Sequence, residues 1–390
     1  MHITVVTHYF PAHGGGIERV AGHICAGLAI RHGVTVEWFA SRTDAVGENH
    51  NPSITMVPVG SWNGIERLTG LPYPLWSPRA LLELSRAVAR SDAVHVHDFS
   101  YPSSIFASIF ARWHGVPLLL TQHTGAVRTG NRVFSALFWI AEQTIGRWMF
   151  AIASRVACVA QTTHAHWRPR ARDEAKLVTI WNGLDFEKLR SPRTRTRAQL
   201  RGAHGLDPNR PIVLFAGRRV RKKGINIVRG VAVALPDVQF LVAGRGPCDP
   251  RKWALPNVRV LGYVDSDGMA QIYELADVLL LPSYSEGFPL VVQEALGCGA
   301  MILSTDEVAG ACPPVADLIT HCPVPRRDNS EPWIAALRRL LVNWPRVTER
   351  QARKHRARAI WSWERCVDSY YEVLVQICSG TPKAAGGSLP

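Results

Sequence analysis

The chain has 390 residues, 47% hydrophobic and 19% charged, with 45 Lys and Arg against 31 Asp and Glu and a formal net charge of +14. That much apolar sequence fills about two ordinary domain cores. It excludes a collagen-like chain, a disordered polyelectrolyte and a small disulfide scaffold. The positive balance favours anionic partners (nucleic acid, acidic lipid headgroups or phosphorylated small molecules) without choosing among them.

The first residues, Met1-His-Ile-Thr-Val-Val-Thr-His-Tyr-Phe, carry no basic start, long apolar run or small-residue cleavage pattern, and are expected to form a first strand rather than a signal peptide. A strand is predicted over 3–6, then a turn at Gly14-Gly15-Gly16 and a helix over 17–31. Strands over 34–40, 93–97 and 117–121 and a helix over 103–113 follow. Continuous Val, Ile and Leu runs separated by helical stretches predict a parallel sheet covered on both faces. Over 133–153 the side chains Phe134, Leu137, Phe138, Ala141, Ile145, Trp148, Met149 and Ile152 share one helical stripe, flanked or punctuated by Arg128, Arg132, Arg147 and Arg155. Glu142 and Arg147 argue against a spanning helix. The segment reads either as a helix packed on the sheet or as one lying in a bilayer interface.

The rhythm breaks over 186–210, where Arg190-Ser-Pro-Arg-Thr-Arg-Thr-Arg-Ala-Gln-Leu-Arg201 carries five arginines and no acid; this reads as an inter-domain link. A second series follows, with strands over 212–216, 238–243, 258–264, 278–281 and 301–304 and helices over 225–234, 269–275 and 290–297. Two doubly wound domains with a ligand cleft between them are expected. The stretch 333–378 is helical and basic, and Arg338, Arg339, Arg350, Arg353, Lys354, Arg356 and Arg358 read as a solvated face or as attracted to headgroups. Cys25, Cys158, Cys248, Cys298, Cys312, Cys322, Cys366 and Cys378 form no C-x-x-C pair or zinc-like cluster and read as reduced, mostly buried thiols.

The strongest local pattern is Ser285-Glu286-Gly287-Phe288-Pro289-Leu290-Val291-Val292-Gln293-Glu294, after an apolar strand. Backbone N–H groups at Gly287 and Phe288, at a helix N-terminus, suit a phosphate. Glu286 at the loop mouth and Glu294 two turns along the helix can reach two hydroxyl sets of one extended ligand. The competing reading is a surface glutamate beside an ordinary helix start.

The stretch Glu286-Gly-Phe-Pro-Leu-Val-Val-Gln-Glu294 resembles the E-x7-E signature of the retaining glycosyltransferases of family GT4, which have the GT-B fold. Other pieces fall in that family's order: Gly15-Gly16-Ile17-Glu18, His123 in Thr121-Gln-His-Thr, Asn182-Gly183-Leu184-Asp185, Gly217-Arg218 through Lys223-Gly224, Gly244-Arg-Gly246 and Trp361-Ser-Trp363-Glu364. The resemblance implies an α/β GT-B chain of two Rossmann-like, doubly wound domains facing across a central cleft. Their expected bounds are 1–188 for the acceptor domain, 189–210 for the linker and 211–360 for the nucleotide-sugar domain. A helix over 361–379 would cross back to the first domain, and 380–390 would be a disordered tail.

By the same resemblance the catalytic set is His123, Glu286, Arg218 and Lys223. Donor contacts come from Gly15, Gly16, Arg218, Lys223, Gly287, Phe288, Pro289, Leu290, Glu294, Tyr263 and Val264. Glu294 would bind the ribose hydroxyls, Glu286 the transferred sugar, and Arg218 and Lys223 the pyrophosphate, so that no cofactor and no metal is expected. Cations fixed where a nucleoside diphosphate departs stabilise the transition state more than the ground state. The competing readings are a solvated basic loop, since Arg219, Arg221 and Lys222 are also basic, and a plain strand-to-helix turn at Gly15 and Gly16. His97 rivals His123, Asp98 stays open as a base, and His8 reads as structural.

The resemblance, together with the positive charge, implies transfer of a hexose from a UDP- or GDP-sugar to a glycan acceptor, lipid-linked, in surface polysaccharide or lipopolysaccharide assembly. The expected setting is cytoplasmic, with an anionic membrane surface as a partner and no specific nucleic acid. The alternatives are a soluble GT-B enzyme making a small glycoside or disaccharide and a basic nucleic-acid-binding protein, for which no recognition helix, zinc or RNA-binding signature appears.

Overall fold

A computed structural model of the chain describes residues 1–13, 15–42, 51–69, 73–125, 132–189, 196–284, 289–311, 313–325, 328–342, 344 and 347–380. The polypeptide divides into two compact units, Met1–Asn182 together with the chain from Trp363 on, and Gly183–Ser362.

The first unit contains β1 (His2–Val6), β2 (Thr35–Ser41), β3 (Ile54–Val59), the short antiparallel pair β4 (Ser61–Trp62) and β5 (Leu75–Trp76), then β6 (Ala93–His97), β7 (Leu118–Gln122), β8 (Arg155–Cys158) and β9 (Leu177–Thr179). Among the described residues the main sheet is parallel, in the order β3-β2-β1-β6-β7-β8-β9. Successive side chains of a strand point to opposite faces, so the continuous apolar runs feed two cores. Ile3, Val5 and Leu119 enter one, while Val94, Val96, Leu118 and Leu120 enter the other.

Helix Gly16–His32 and helix Trp363–Ser379 cover the first face, with Ile24 and Leu28 packed beside Val367, Tyr370 and Leu374. Their close approach needs Gly27, where a Cβ would lie 2.3 Å from a Val367 methyl. Arg31 also meets Asp368 at 2.8 Å. Helices Pro78–Arg90, Pro102–His114 and Arg147–Ile152 supply the other face.

The single helix expected over 133–153 is not continuous. Arg132–Ala141 leads into a π turn, Glu142–Gly146, and then Arg147–Ile152. The wider turn rotates everything after it, so the expected stripe does not share one face. Met149 is fully buried, whereas Leu137, Ile145 and Trp148 are exposed. Glu142 is buried and paired with His166 at 3.1 Å and Arg170 at 3.4 Å. Arg128 and the Phe134 side chain lie outside the described residues.

The second unit contains β10 (Ile212–Ala216), β11 (Gln239–Ala243), β12 (Val258–Gly262), β13 (Val278–Leu280), β14 (Met301–Thr305) and β15 (Ile319–Cys322). Among the described residues its sheet is parallel, in the order β12-β11-β10-β13-β14-β15. Arg197 and Arg201 converge on Asp277, just before β13, at 2.5 and 2.7 Å.

Arg350 and Arg353 of helix Val347–Trp361 are buried, which corrects the solvated or headgroup-facing reading at those two positions, whereas Arg338, Arg339, Arg356 and Arg358 are exposed. Arg350 donates to the carbonyls of Ala276, Tyr273 and Glu274 at the end of helix Ser266–Leu275. Arg353 donates to Gly299 O at 2.9 Å. A helix C-terminus leaves carbonyls without partners, and guanidinium donors satisfy them. Among the described residues the cysteines are free thiols, five of them buried.

In both sheets the chain winds one way from the first strand and then the other, so the order reverses between β1 and β6 and again between β10 and β13. Loops leaving the carboxyl ends of those strand pairs diverge and open a crevice, the usual ligand position in such sheets.

Candidate active site

At the switch point of the first unit, β6 ends at His97 and the next residue, Asp98, adopts φ +63°. Its buried carboxylate accepts from Ser100 N and Oγ at 3.2 and 3.1 Å, Gln122 Nε2 at 3.3 Å, and Thr124 N and Oγ1 at 3.2 and 2.8 Å. Five donors make Asp98 a fixed acceptor that shapes the turn.

His97 Nδ1 lies 3.0 Å from Nε2 of His123, just beyond β7. His95 Nε2 lies 2.7 Å from Thr121 Oγ1. Burial pulls His95 down to about 3 and His97 well below its usual value. It pulls His123 down to about 4, against the opposing charge of Asp98. All three rings are therefore neutral near pH 7, and in the His97–His123 contact one nitrogen donates while the other accepts.

Two residues after β1, His8 stacks on Tyr101 with ring centroids 3.7 Å apart, and its Nε2 lies 2.9 Å from Glu18 Oε1. Burial raises the Glu18 pKa, but the hydrogen bond and charge of His8 and the residue's own N–H outweigh it and leave the pKa lowered. A Cβ on Gly15 would sit 2.1 Å from Glu18 Oε2. Gly15 thus admits a carboxylate of the protein itself at the start of helix Gly16–His32, where the resemblance implies a phosphate. Gly16 is exposed, and a Cβ there would meet nothing within 4 Å.

At the switch point of the second unit, the turn after β10 carries Arg218, which is exposed, and Lys223, which is half-buried. Gly224 has φ +75°, and a Cβ there would lie 2.0 Å from Pro282 O. Lys222 O accepts from Tyr284 N at 2.9 Å. The cationic turn is therefore pressed against the segment leaving β13, and only glycine fits the contact.

Glu294 lies on helix Leu290–Gly297 and accepts a 2.6 Å hydrogen bond from the Tyr273 hydroxyl. Burial raises its pKa, and the Tyr273 bond works against that. Pro289 is buried and Leu290 exposed at the start of the same helix. Arg218, Lys223, Pro289, Leu290 and Glu294 thus follow two adjacent strands. Tyr263 and Val264 follow the edge strand β12, with the Arg245 guanidinium 4.5 Å from the Tyr263 ring centroid. Glu286, Gly287 and Phe288 lie outside the described residues.

Sequence reasoning missed Tyr273, whose link to Glu294 spans 21 positions and leaves no local pattern. It also read His8 as structural without its Glu18 partner, although an acid in the first turn after a glycine pair is a signal. Among the described residues no group of three or more His, Cys, Asp or Glu is placed to hold a metal ion. A cavity of about 390 Å³ beside β12 is lined by none of the predicted site residues.

Two Rossmann-like parallel sheets, each reversing its strand order at a switch point, are the architecture of the GT-B fold. The family model for Glycosyltransferase Family 4 matches residues 14–188, and that for Glycosyl transferases group 1 matches residues 210–343. The chain belongs to the group 1 glycosyltransferases of family GT4 and is a transferase enzyme. It is 27% identical to a D-inositol 3-phosphate glycosyltransferase of Mycolicibacterium vanbaalenii, over 91% of this chain and 84% of that one. Its fold is similar to Anabaena Alr3699/HepE in complex with UDP, with a TM-score of 0.68, 13% identity and coverage of 96% and 99%. It is also similar to WaaG, a glycosyltransferase involved in lipopolysaccharide biosynthesis, with a TM-score of 0.63, 17% identity and coverage of 95% and 99%. At those identities the two structures show the fold; what they bind or make is said of those proteins.

Proposed function

We propose that the protein moves a hexose, with retention of anomeric configuration, from a nucleotide-diphosphate sugar to a hydroxyl of a lipid-linked glycan acceptor in surface polysaccharide or lipopolysaccharide assembly. The observation that carries the donor half is the turn bearing Arg218 and Lys223, clamped at Gly224 against the segment after β13. A preorganised cationic turn stabilises the charge that builds on the distal phosphate as the sugar–phosphate bond breaks. Attack comes from the same face, and the departing phosphate accepts the acceptor's proton. Glu294, held by Tyr273, binds the ribose hydroxyls; Glu286 binds the transferred sugar. His123 lies beside that sugar, and as a neutral ring it offers a hydrogen bond without setting a positive charge against a developing oxocarbenium.

The UDP held by Anabaena Alr3699/HepE supports a nucleotide-sugar donor. The role of WaaG supports the lipopolysaccharide setting. Among the described residues no helix is long and apolar enough to cross a membrane; the membrane contact in this reading is peripheral. Exposed Phe106, Trp113, Trp139 and Trp148 support such contact.

A second reading, a small soluble acceptor such as an inositol phosphate, is favoured by the name of the mycobacterial relatives. The test begins with a thermal-shift screen of UDP, GDP and ADP. Transfer from the matching nucleotide sugar to a lipid-linked saccharide and to inositol 3-phosphate follows, with the product anomer read by NMR. One nucleotide is expected to raise Tm by several degrees, and the lipid-linked acceptor to be glycosylated. No shift with any nucleotide would overturn the donor assignment, and transfer to inositol 3-phosphate alone would replace the acceptor.

A further inference from the structure

The first unit holds a cavity of about 230 Å³ whose lining is mostly apolar. Tyr73, Phe99, Ser100, Leu137, Phe138 and Ile145 are among the residues that line it. It connects to the histidine cluster through one lining residue, Ser100. Ser100 donates to Asp98, and the same carboxylate holds Thr124, the residue after His123. The Tyr73 ring lies 5.6 Å from that of Tyr101, which in turn stacks on His8. Leu137 is 61% exposed, and Trp139, Ile140 and Trp148 of the same segment are also exposed.

The charge on that surface has one sign. Helix Pro102–His114 and the segment 132–152 contain a single acid, Glu142, and it is buried in its pairing with His166 and Arg170. Among the described residues the exposed charged side chains there are cations, Arg112 and Arg147. Tryptophan with arginine and no exposed carboxylate suits the boundary between hydrocarbon and anionic headgroups. The cavity is smaller than the ~300–1,000 Å³ typical of drug-sized ligands, so it suits a short hydrocarbon stretch and not a whole lipid.

We propose that this cavity binds the hydrocarbon segment next to the acceptor's sugar, placing that sugar's hydroxyl at the Asp98–His123 turn while the rest of the tail runs out over Leu137 and Ile145. The inference rests on the transferase reading and narrows it, because a polyol phosphate has nothing to put in the cavity.

The test uses the full chain and monomeric alkyl β-glucosides (methyl, butyl and octyl, each below its micelle concentration), with binding read by ligand-observed NMR. Binding is expected to tighten about tenfold or more from methyl to octyl. Ala141→Trp, which fills the cavity, is expected to reduce that ratio to about threefold or less. Leu137→Ser, at an exposed position that does not threaten folding, is expected to act in the same direction. A ratio near one in the unaltered chain would overturn the proposal, as would an octyl preference that persists in a folded variant. The donor reading is measured separately on the unaltered chain by the UDP, GDP and ADP thermal shifts. A nucleotide shift without chain-length dependence therefore sinks the cavity and leaves the transferase standing.

Discussion

At Glu294 burial works against the charged form, and a 2.6 Å hydrogen bond from Tyr273 works for it. Replacing the phenol with phenylalanine removes a donor from a buried carboxylate, which costs about 1–3 kcal/mol. Tyr273→Phe is therefore expected to raise the Kd for the preferred nucleoside diphosphate about tenfold, read by calorimetry. Arg218 has a different task. It is exposed and sits in the turn that would meet the departing diphosphate, so its loss should appear in turnover more than in donor affinity. Arg218→Ala is expected to lower kcat by roughly 10²–10³, the cost of removing one preorganised transition-state donor, with Arg218→Lys recovering part of it. Glu286→Ala is expected to abolish transfer nearly completely; unchanged transfer would remove Glu286 from the site.

Among the elements, the turn between β10 and helix Ile225–Ala234 is held by backbone geometry. At Gly224 a methyl would meet Pro282 O at 2.0 Å with φ at +75°. Gly224→Ala is expected to destabilise the second unit and weaken nucleotide binding together, because the same contact positions Lys223. Helix Ser266–Leu275 depends on Arg350, 77 positions after Tyr273, for donors to its last carbonyls. Arg350→Met keeps much of the side chain's bulk and strips those donors. It is expected to cost about 2–4 kcal/mol in denaturant unfolding and to loosen the Tyr273–Glu294 pair carried by that helix.

For the whole molecule the histidine cluster sets a pH dependence. His95 and His123 are neutral in the fold down to about 3 and 4, whereas in the unfolded chain they protonate near the usual value of about 6.5. Between those limits the unfolded state binds more protons, so stability falls as pH falls. Above about pH 7 both states are neutral and the curve is flat. From pH 6.5 to pH 5 each histidine removes on the order of 2 kcal/mol. Tm is expected to drop across that window, and His95→Gln to flatten the slope; an unchanged slope would show that the cluster is not buried in its neutral form.

Much of the fold was legible in the sequence. The strands over 93–97 and 212–216 and the helix over 225–234 coincide with those predicted, because a mainly apolar stretch bounded by glycine or polar residues specifies an element through near neighbours alone. The short or mixed strands β3, β9 and β15 gave no such run. The break at 142–146 was invisible for a related reason: a π turn changes the helical period without changing composition. Motif order along the chain also marked the family, since E-x7-E and the glycine turns are local. Polar partnerships were a different matter. His97 meets His123 across 26 positions, and Arg350 reaches carbonyls more than 70 positions away. Which groups are buried, which are paired and which are neutral follows from strand order, because the order brings distant loops to the same edge of a sheet. The sequence by itself therefore determined the longer apolar elements, the parallel α/β class and the candidate side chains for the chemistry. Only the tertiary structure decided their partners and charge states, since those depend on what the chain folds against them from far away.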